Sequence, residues 1–554
     1  MQRGWLLIAT LSVVATIACA DNGNKDKNKS DRGKVEPAVA AYFKDDDAAT
    51  DSSVTVEGSS VSYHAIAGTI IVHPKGWDDV TQSTEGESPT PTTSQTEASE
   101  KGPAPQKETG ARASMFYVYY SKGGGENRPL TFLFNGGPGS STVWLHMGAF
   151  GPRRVITADN SHTPAAPYKL VNNDYSLMDV SDLVFIDAPG AGFSRITGKE
   201  KEKSFWGVDA DGYAFSEFIT QFLSKYGRWN SPKYLFGESY GTTRAAVLAN
   251  MMETERSIDL NGIIMLSQIL NFDMSADSPQ FNPGVDLPYA MALPTYAASA
   301  WYHNRLPGKR PPDMQKFLGA VQHFAMGDYI QALQAGAALN SKQRQMIAQR
   351  LHQYTGLPVW YVLKADLRID GGMFEQNLQG NSDITTGRLD TRFSGPSMDP
   401  LNKEADYDPQ SASISSAYVA AFNDYVRKQL NYGYGKQYRL FADVFRHWDF
   451  LHKVAGVPIP LPQATNVIPD LSTAMKYNPN LHVMLTGGYF DLATPYYEGV
   501  YEMRHLQIPT KLQRNIEYHY YNSGHMVYAH EDSLKQIHDH TADFIRRTSN
   551  MENR

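Results

Sequence analysis

The chain has 554 residues, 20% of them charged and 41% hydrophobic, with a net charge of −7. That length holds two to four domains, or one enlarged α/β domain with insertions, and the composition is that of an ordinary globular protein. So small a net charge argues against nucleic acid as the main partner.

The first predicted element is an export signal over residues 1–19. Arg3 supplies the positive start, and Trp5 to Ala18 is an apolar run too short to span a bilayer as a helix. Cys19, the single cysteine, ends that run. Thr16-Ile-Ala-Cys19 resembles a bacterial lipoprotein box, with Thr16 where leucine is usual. In such a box the cysteine becomes the lipidated first residue. Ala18-Cys19-Ala20 also reads as an ordinary small-residue cleavage site that releases a soluble protein. Either way the mature chain is expected to be exported and to hold no internal disulfide, which points to a bacterial periplasm or cell envelope. A lipid on Cys19 would be its only membrane attachment.

Residues 20–53 read as a polar tether, and 54–272 as the first part of an α/β core. Two strands are expected at Ser60–Ala65 and Thr69–His73. Residues 78–112, rich in Ser, Thr, Pro, Glu, Gln and Lys, read as a disordered loop. Strand signals return at Met115–Tyr120 and Leu130–Phe134, and again at Leu183–Asp187, Gly262–Leu266, Val483–Leu485 and Glu517–Tyr520. Helical patterns such as Tyr213–Lys225 separate them. Such alternation implies a mostly parallel sheet with helices on both faces. Residues 273–438 read as a largely helical cap insertion, with helices at Met314–Gln334, Lys342–His352 and Ala417–Leu430. The core resumes over 439–554.

Three stretches carry chemistry. Gly237-Glu-Ser239-Tyr-Gly241 has the form of a nucleophile elbow, a serine on a tight strand-to-helix turn flanked by glycines. Asn135-Gly-Gly-Pro-Gly-Ser-Ser141 follows a buried strand and is read as bringing a backbone amide to an oxyanion. A serine nucleophile also needs a base and a group that orients it. Asp491 and His525 follow the last two strands, and the order Ser239, Asp491, His525 is that of α/β-hydrolases. Nothing calls for a cofactor or a metal. Asp209-Ala-Asp211-Gly212 starts like a calcium loop but lacks the later ligands. His519, His525 and His530 lack the tight spacing of a zinc site.

Together with Asp187-Ala-Pro-Gly-Ala-Gly-Phe-Ser194 and Gly524-His525-Met526, these motifs resemble the serine carboxypeptidases, a family of the α/β-hydrolases. The resemblance implies Ser239 as nucleophile, His525 as base and acid, Asp491 as its orienter, and an oxyanion hole from the amides of Gly137 and Tyr240. It also implies that Asn135 and Glu238 bind the free C-terminal carboxylate of a peptide substrate. An esterase or acyltransferase on the same triad, or a silent surface binding protein, are the competing readings. Two positions depart from the family. Ser140 stands where a cysteine is frequent, and Ala149 where a glutamate often pairs with the one matching Glu238. Without that partner Glu238 is expected to ionise more readily. Recognition would then rest on Asn135, helped by a cation such as Arg153 or Arg244, or amidated and esterified ends would be tolerated.

Overall fold

A computed structural model describes residues 41–44, 46–77, 110–123, 127–380, 382–454, 457 and 459–551. The predicted signal with Cys19, most of the predicted tether and nearly all of the predicted 78–112 loop lie outside the described residues. The strands are β1 (Ala48–Val56), β2 (Ser59–Val72), β3 (Arg112–Ser121), β4 (Leu130–Phe134), β5 (Arg153–Val155), β6 (Leu170–Asn172), β7 (Asp182–Ile186), β8 (Arg195–Thr197), β9 (Lys233–Glu238), β10 (Gly262–Leu266), β11 (Ile384–Thr386), β12 (Ser394–Pro396), β13 (His482–Gly488) and β14 (Ile516–Tyr521). One large sheet has the order β1-β2-β3-β7-β4-β9-β10-β13-β14, with β8 also on β3. From β7 to β14 the neighbours run parallel, while β1, β2 and β3 form an antiparallel flank.

The central strands are short apolar runs buried along their whole length, as a sheet covered on both faces requires. Strand alternation divides the core in two. Leu235, Ile263 and Met265 pack with Phe215, Phe222, Leu248 and Met252 of the helices Val208–Lys225 and Tyr240–Thr254. Tyr234, Phe236, Ile264 and Leu266 face the other way, towards Leu534, Ile537 and Phe544 of the helix Glu531–Thr548. The parallel strands all end on one edge, and the loops that leave it carry the candidate site.

Two predicted strands prove to be one. β2 runs unbroken from Ser59 to Val72, and β1 pairs with it from Ala48 to Val56, partly inside the segment read as tether. β1 is largely polar and exposed, so neither an apolar run nor a strict alternation marked it. Arg112 likewise belongs to β3 and not to the loop.

Between β10 and β13 the chain is mainly helical, with Leu287–Tyr302, Met314–Phe324, Ser341–Thr355 and Pro409–Lys428 the longer helices. The helix expected at Met314–Gln334 is broken by a wider turn over Ala325–Tyr329 and resumes at Ile330–Ala335. Three of these helices share an apolar core of their own, with Leu293, Leu318, Phe324 and Leu351. That core includes Phe490, Leu492 and Tyr496 from the loop that follows β13.

Arg244 ties two core helices together. Its guanidinium donates to Asp211 at 2.6 and 3.3 Å and to the Asn135 carbonyl at 2.7 Å, with both charged side chains almost fully buried. It is therefore committed within the fold and not free to meet a substrate carboxylate. Arg153, the other cation considered, is half-buried at the start of β5. Removing one partner of a buried ion pair leaves the other charge uncompensated. Arg244→Met should lower the unfolding free energy by about 3–5 kcal/mol. Adding Asp211→Leu should recover much of that loss, as read by denaturant unfolding.

Candidate active site

Ser239 joins β9 to the helix Tyr240–Thr254 with φ 60 and ψ −130, a conformation rare for a side chain larger than glycine. Crowding explains its flanks. A Cβ on Gly237 would lie 2.2 Å from the Gly241 carbonyl oxygen, and one on Gly241 would lie 2.8 Å from that of Phe134. The turn is held by Ser239 N donating to the Leu266 carbonyl at 2.9 Å and Thr242 N donating to the Ser239 carbonyl at 2.8 Å.

The glycine-rich loop leaves β4, the neighbour of β9, and lies against the start of that helix. A Cβ on Gly136 would be 2.4 Å from Tyr240 N and 2.6 Å from Gly241 N. Gly137 follows with φ 104, open to glycine at little cost. Ser140, in the position of the frequent cysteine, accepts a hydrogen bond from Trp144 Nε1 at 3.1 Å.

Asp491 and His525 come from the loops after β13 and β14 and are both buried. His525 Nδ1 lies 2.9 Å from Asp491 Oδ2. Thr494 completes the acid's shell, its amide donating to Oδ1 at 3.0 Å and its hydroxyl to Oδ2 at 2.7 Å. With the proton on Nδ1, the lone pair of the neutral imidazole is on Nε2. Burial disfavours a charged His525, but the charge and hydrogen bond of Asp491, with the charge of Glu238, outweigh it and push the pKa up. Ser239 and His525 are anchored on consecutive residues at the end of β10: Ser239 N bonds Leu266, and Ser267 Oγ donates to the His525 carbonyl at 2.8 Å.

Glu238, one residue before the serine, points into the same buried space. Asn135 Oδ1 accepts from Leu145 N at 3.1 Å, which leaves its amide donor to face Glu238. Tyr528 donates its hydroxyl to Glu238 Oε2 at 2.8 Å. Burial pushes the Glu238 pKa up to about 7, against the opposing pull of imidazolium, Tyr528 and Asn135. Glu238 therefore keeps a raised pKa with alanine at position 149: burial is the main cause, and the charge of Asp491 adds to it. Sequence reasoning missed Tyr528 and Thr494. Each sits three residues after a residue it did single out, His525 and Asp491, and that spacing was the available signal.

The remaining candidates are engaged elsewhere. Asp209 pairs with His452 at 2.6 Å and starts a helix, not a calcium loop. His519 bonds Glu517, and His530 bonds Ser533. Among the described residues Glu57, His538 and Asp539 lie close enough to share a cation, but Asp539 is already paired with Lys535 at 2.7 Å.

A serine on a strand-to-helix turn, with an aspartate and a histidine delivered by later strands of the same parallel sheet, defines an α/β-hydrolase. The family model for serine carboxypeptidases matches residues 95–538. The chain belongs to the serine carboxypeptidase family. Among curated relatives, the pheromone-processing carboxypeptidase KEX1 of Yarrowia lipolytica is 29% identical over 141 residues, which is 25% of this chain and 21% of that one. Serine carboxypeptidase-like 36 of Arabidopsis thaliana is 28% identical over 177 residues, 30% of this chain and 34% of the relative. The matches thus span no more than about a third of those relatives' length. A solved structure of the Saccharomyces cerevisiae prohormone-processing carboxypeptidase KEX1 is similar over 87% of this chain and 91% of its own, with 16% identity and a TM-score of 0.48.

Proposed function

We propose that this protein is an exported serine carboxypeptidase that removes C-terminal residues from peptides through an acyl-enzyme on Ser239. The observation that carries the reading is a buried Glu238, protonated up to about pH 7 and flanked by Asn135, immediately beside the serine. A carboxylic acid and an amide are both neutral donors, and a peptide's terminal carboxylate is a pure acceptor. Held there, the terminus would place the last peptide bond over Ser239.

In this reading Ser239 Oγ attacks the carbonyl carbon and gives its proton to His525 Nε2. Asp491 keeps the imidazole in the right tautomer and stabilises its charge. The amides of Gly137 and Tyr240, at the positive end of a helix, would receive the oxyanion. The C–N bond breaks, and the departing amine takes the proton from His525. Water then repeats the sequence and frees Ser239. Ser239→Ala should lower kcat by several orders of magnitude, and Asp491→Asn by about 10⁴-fold. Near-normal turnover in purified Ser239→Ala would remove Ser239 as the nucleophile.

Glu238 and His525 share a constraint. The productive form has the proton on Glu238 and none on Nε2 of His525, yet each negative charge on Glu238 makes His525 harder to deprotonate. The specificity constant for a free C-terminus should therefore peak in a narrow window and fall above about pH 7, where Glu238 ionises. Glu238→Gln donates at every pH and removes the charge that raises His525. It should abolish the alkaline fall. Matched free and amidated peptides, followed across pH, give the test. Equal turnover of both at every pH would favour the esterase or acyltransferase reading.

We propose also that Cys19 is lipidated and holds the protein at a cell envelope, since it ends the apolar run Trp5 to Ala18. No helix among the described residues is long and apolar enough to cross a membrane. Cys19→Ser should move the protein from the membrane fraction to the soluble one. A native protein already soluble, with Asp21 at its mature N-terminus, would contradict the anchor.

A further inference from the structure

One short segment of the helical insertion, Arg388 to Arg392, makes backbone contact with both loops that build the acid–base pair. On the acid side, Thr391 N donates to the Phe490 carbonyl at 2.9 Å and Leu492 N donates to the Arg388 carbonyl at 3.1 Å, so Asp491 is bracketed. On the base side, His525 N donates to the Leu389 carbonyl at 2.6 Å, and Gly524 N donates to Asp390 Oδ2 at 3.1 Å. The approach is close enough to exclude a side chain at Gly524, whose Cβ would lie 2.4 Å from both Asp390 Cβ and the Leu389 carbonyl oxygen.

Asp390 is fully buried, and its charge is met by Arg392. The guanidinium donates to Asp390 through Nε at 3.1 Å and Nη2 at 2.7 Å, and the Arg392 amide donates to Oδ1 at 3.0 Å. Nη1 reaches Asp159 at 3.1 Å, and Nη2 approaches Ser523 Oγ at 3.4 Å. Below, Asp408 Oδ1 accepts the amides of Arg388 and Leu389 at 2.7 and 3.1 Å. The segment is thus pinned from beneath and presses on His525 and Asp491 from the insertion.

We propose that the buried Asp390–Arg392 pair is a positioning element for catalysis, a strut through which the helical insertion sets the His525 loop against Asp491. Asp390 acts through the Gly524 amide and touches neither substrate nor reacting atoms. The inference rests on the reading of Ser239 and His525 as nucleophile and base. It places part of the catalytic geometry in the insertion itself, 390 and 392 being more than 130 residues from the histidine they hold.

The groups that act on the His525 charge are Asp491 and Glu238, which favour it, and Arg388, which opposes it. Asp390→Asn keeps the shape and an acceptor but leaves the Arg392 guanidinium with Asp159 as its remaining carboxylate partner. The variant removes one negative charge from behind the Gly524 amide, which disfavours imidazolium, and the loosened loop weakens the bond to Asp491. Both effects move the acid limb of His525 to lower pH. A misplacement of about 1 Å at a reacting group costs about 10²-fold in rate.

The test is the rate at which a fluorophosphonate labels Ser239, measured against pH in the full-length protein, with thermal melting recorded alongside. Asp390→Asn should label about 10²-fold more slowly on the plateau, with its acid limb displaced to lower pH. The neutral pair Asp390→Asn with Arg392→Gln restores charge balance, so it should return the limb to the wild-type position and regain part of the plateau. Wild-type rate and limb in Asp390→Asn would overturn the strut. So would a slower plateau with an unmoved limb and no rescue, or failure of both variants to fold, since each assigns the pair to stability alone. A wild-type protein that takes no label would instead overturn the nucleophile reading beneath it.

Discussion

The hydrogen bond from His525 Nδ1 to Asp491 Oδ2, at 2.9 Å, is the interaction on which the rest of the site depends. It fixes which imidazole nitrogen carries the proton, and so which one is free to receive another. Neither loop could hold it alone. β13 and β14 must lie side by side and parallel for their C-terminal loops to meet, and β10 must supply Leu266 and Ser267 as common anchors for Ser239 and His525. Thr494 holds the carboxylate by one hydrogen bond to each oxygen, which orients Oδ2 towards the imidazole. A buried charge is tolerated here because every oxygen has a partner.

A second buried acid lies next to this first one, and the two are handled oppositely. Asp491 is surrounded by donors suited to a carboxylate. Glu238 receives only Tyr528 and Asn135, and burial holds it near the neutral form, up to about pH 7. Both acids act on the one histidine, and of the two Glu238 is the one that burial holds near its neutral form. The Tyr528 and Asn135 hydrogen bonds favour the carboxylate, and burial outweighs them. Ala149 is buried with its neighbours in the short helix Leu145–Phe150.

Much of the architecture was legible in the chain because the central strands are apolar along their full length and punctuated by glycine. The elbow at Gly237–Gly241 could be read for the same reason: backbone crowding leaves a local signature. What escaped depends on contacts between distant residues. β1 is polar and is a strand only because β2 offers it a partner. The neutral state of Glu238 follows from burial, which no local pattern around it reveals. Asp390 and Arg392 look like ordinary surface charges in a polar stretch, and only folding buries them against Gly524. The two positions singled out as departures, Ser140 and Ala149, were visible as differences, but their consequences were set by Trp144 and by the burial of Glu238.

A serine nucleophile requires a covalent intermediate at one oxygen atom, Ser239 Oγ. Acid quenching during turnover of a slow peptide or ester substrate, followed by mass spectrometry of the digested protein, would locate it. The expected result is an acyl group on Ser239, absent in Ser239→Ala and retained longer in Asp491→Asn, where the base that activates water is misaligned. An acyl group on another residue, or turnover with no acylated species while Ser239→Ala remains active, would contradict it.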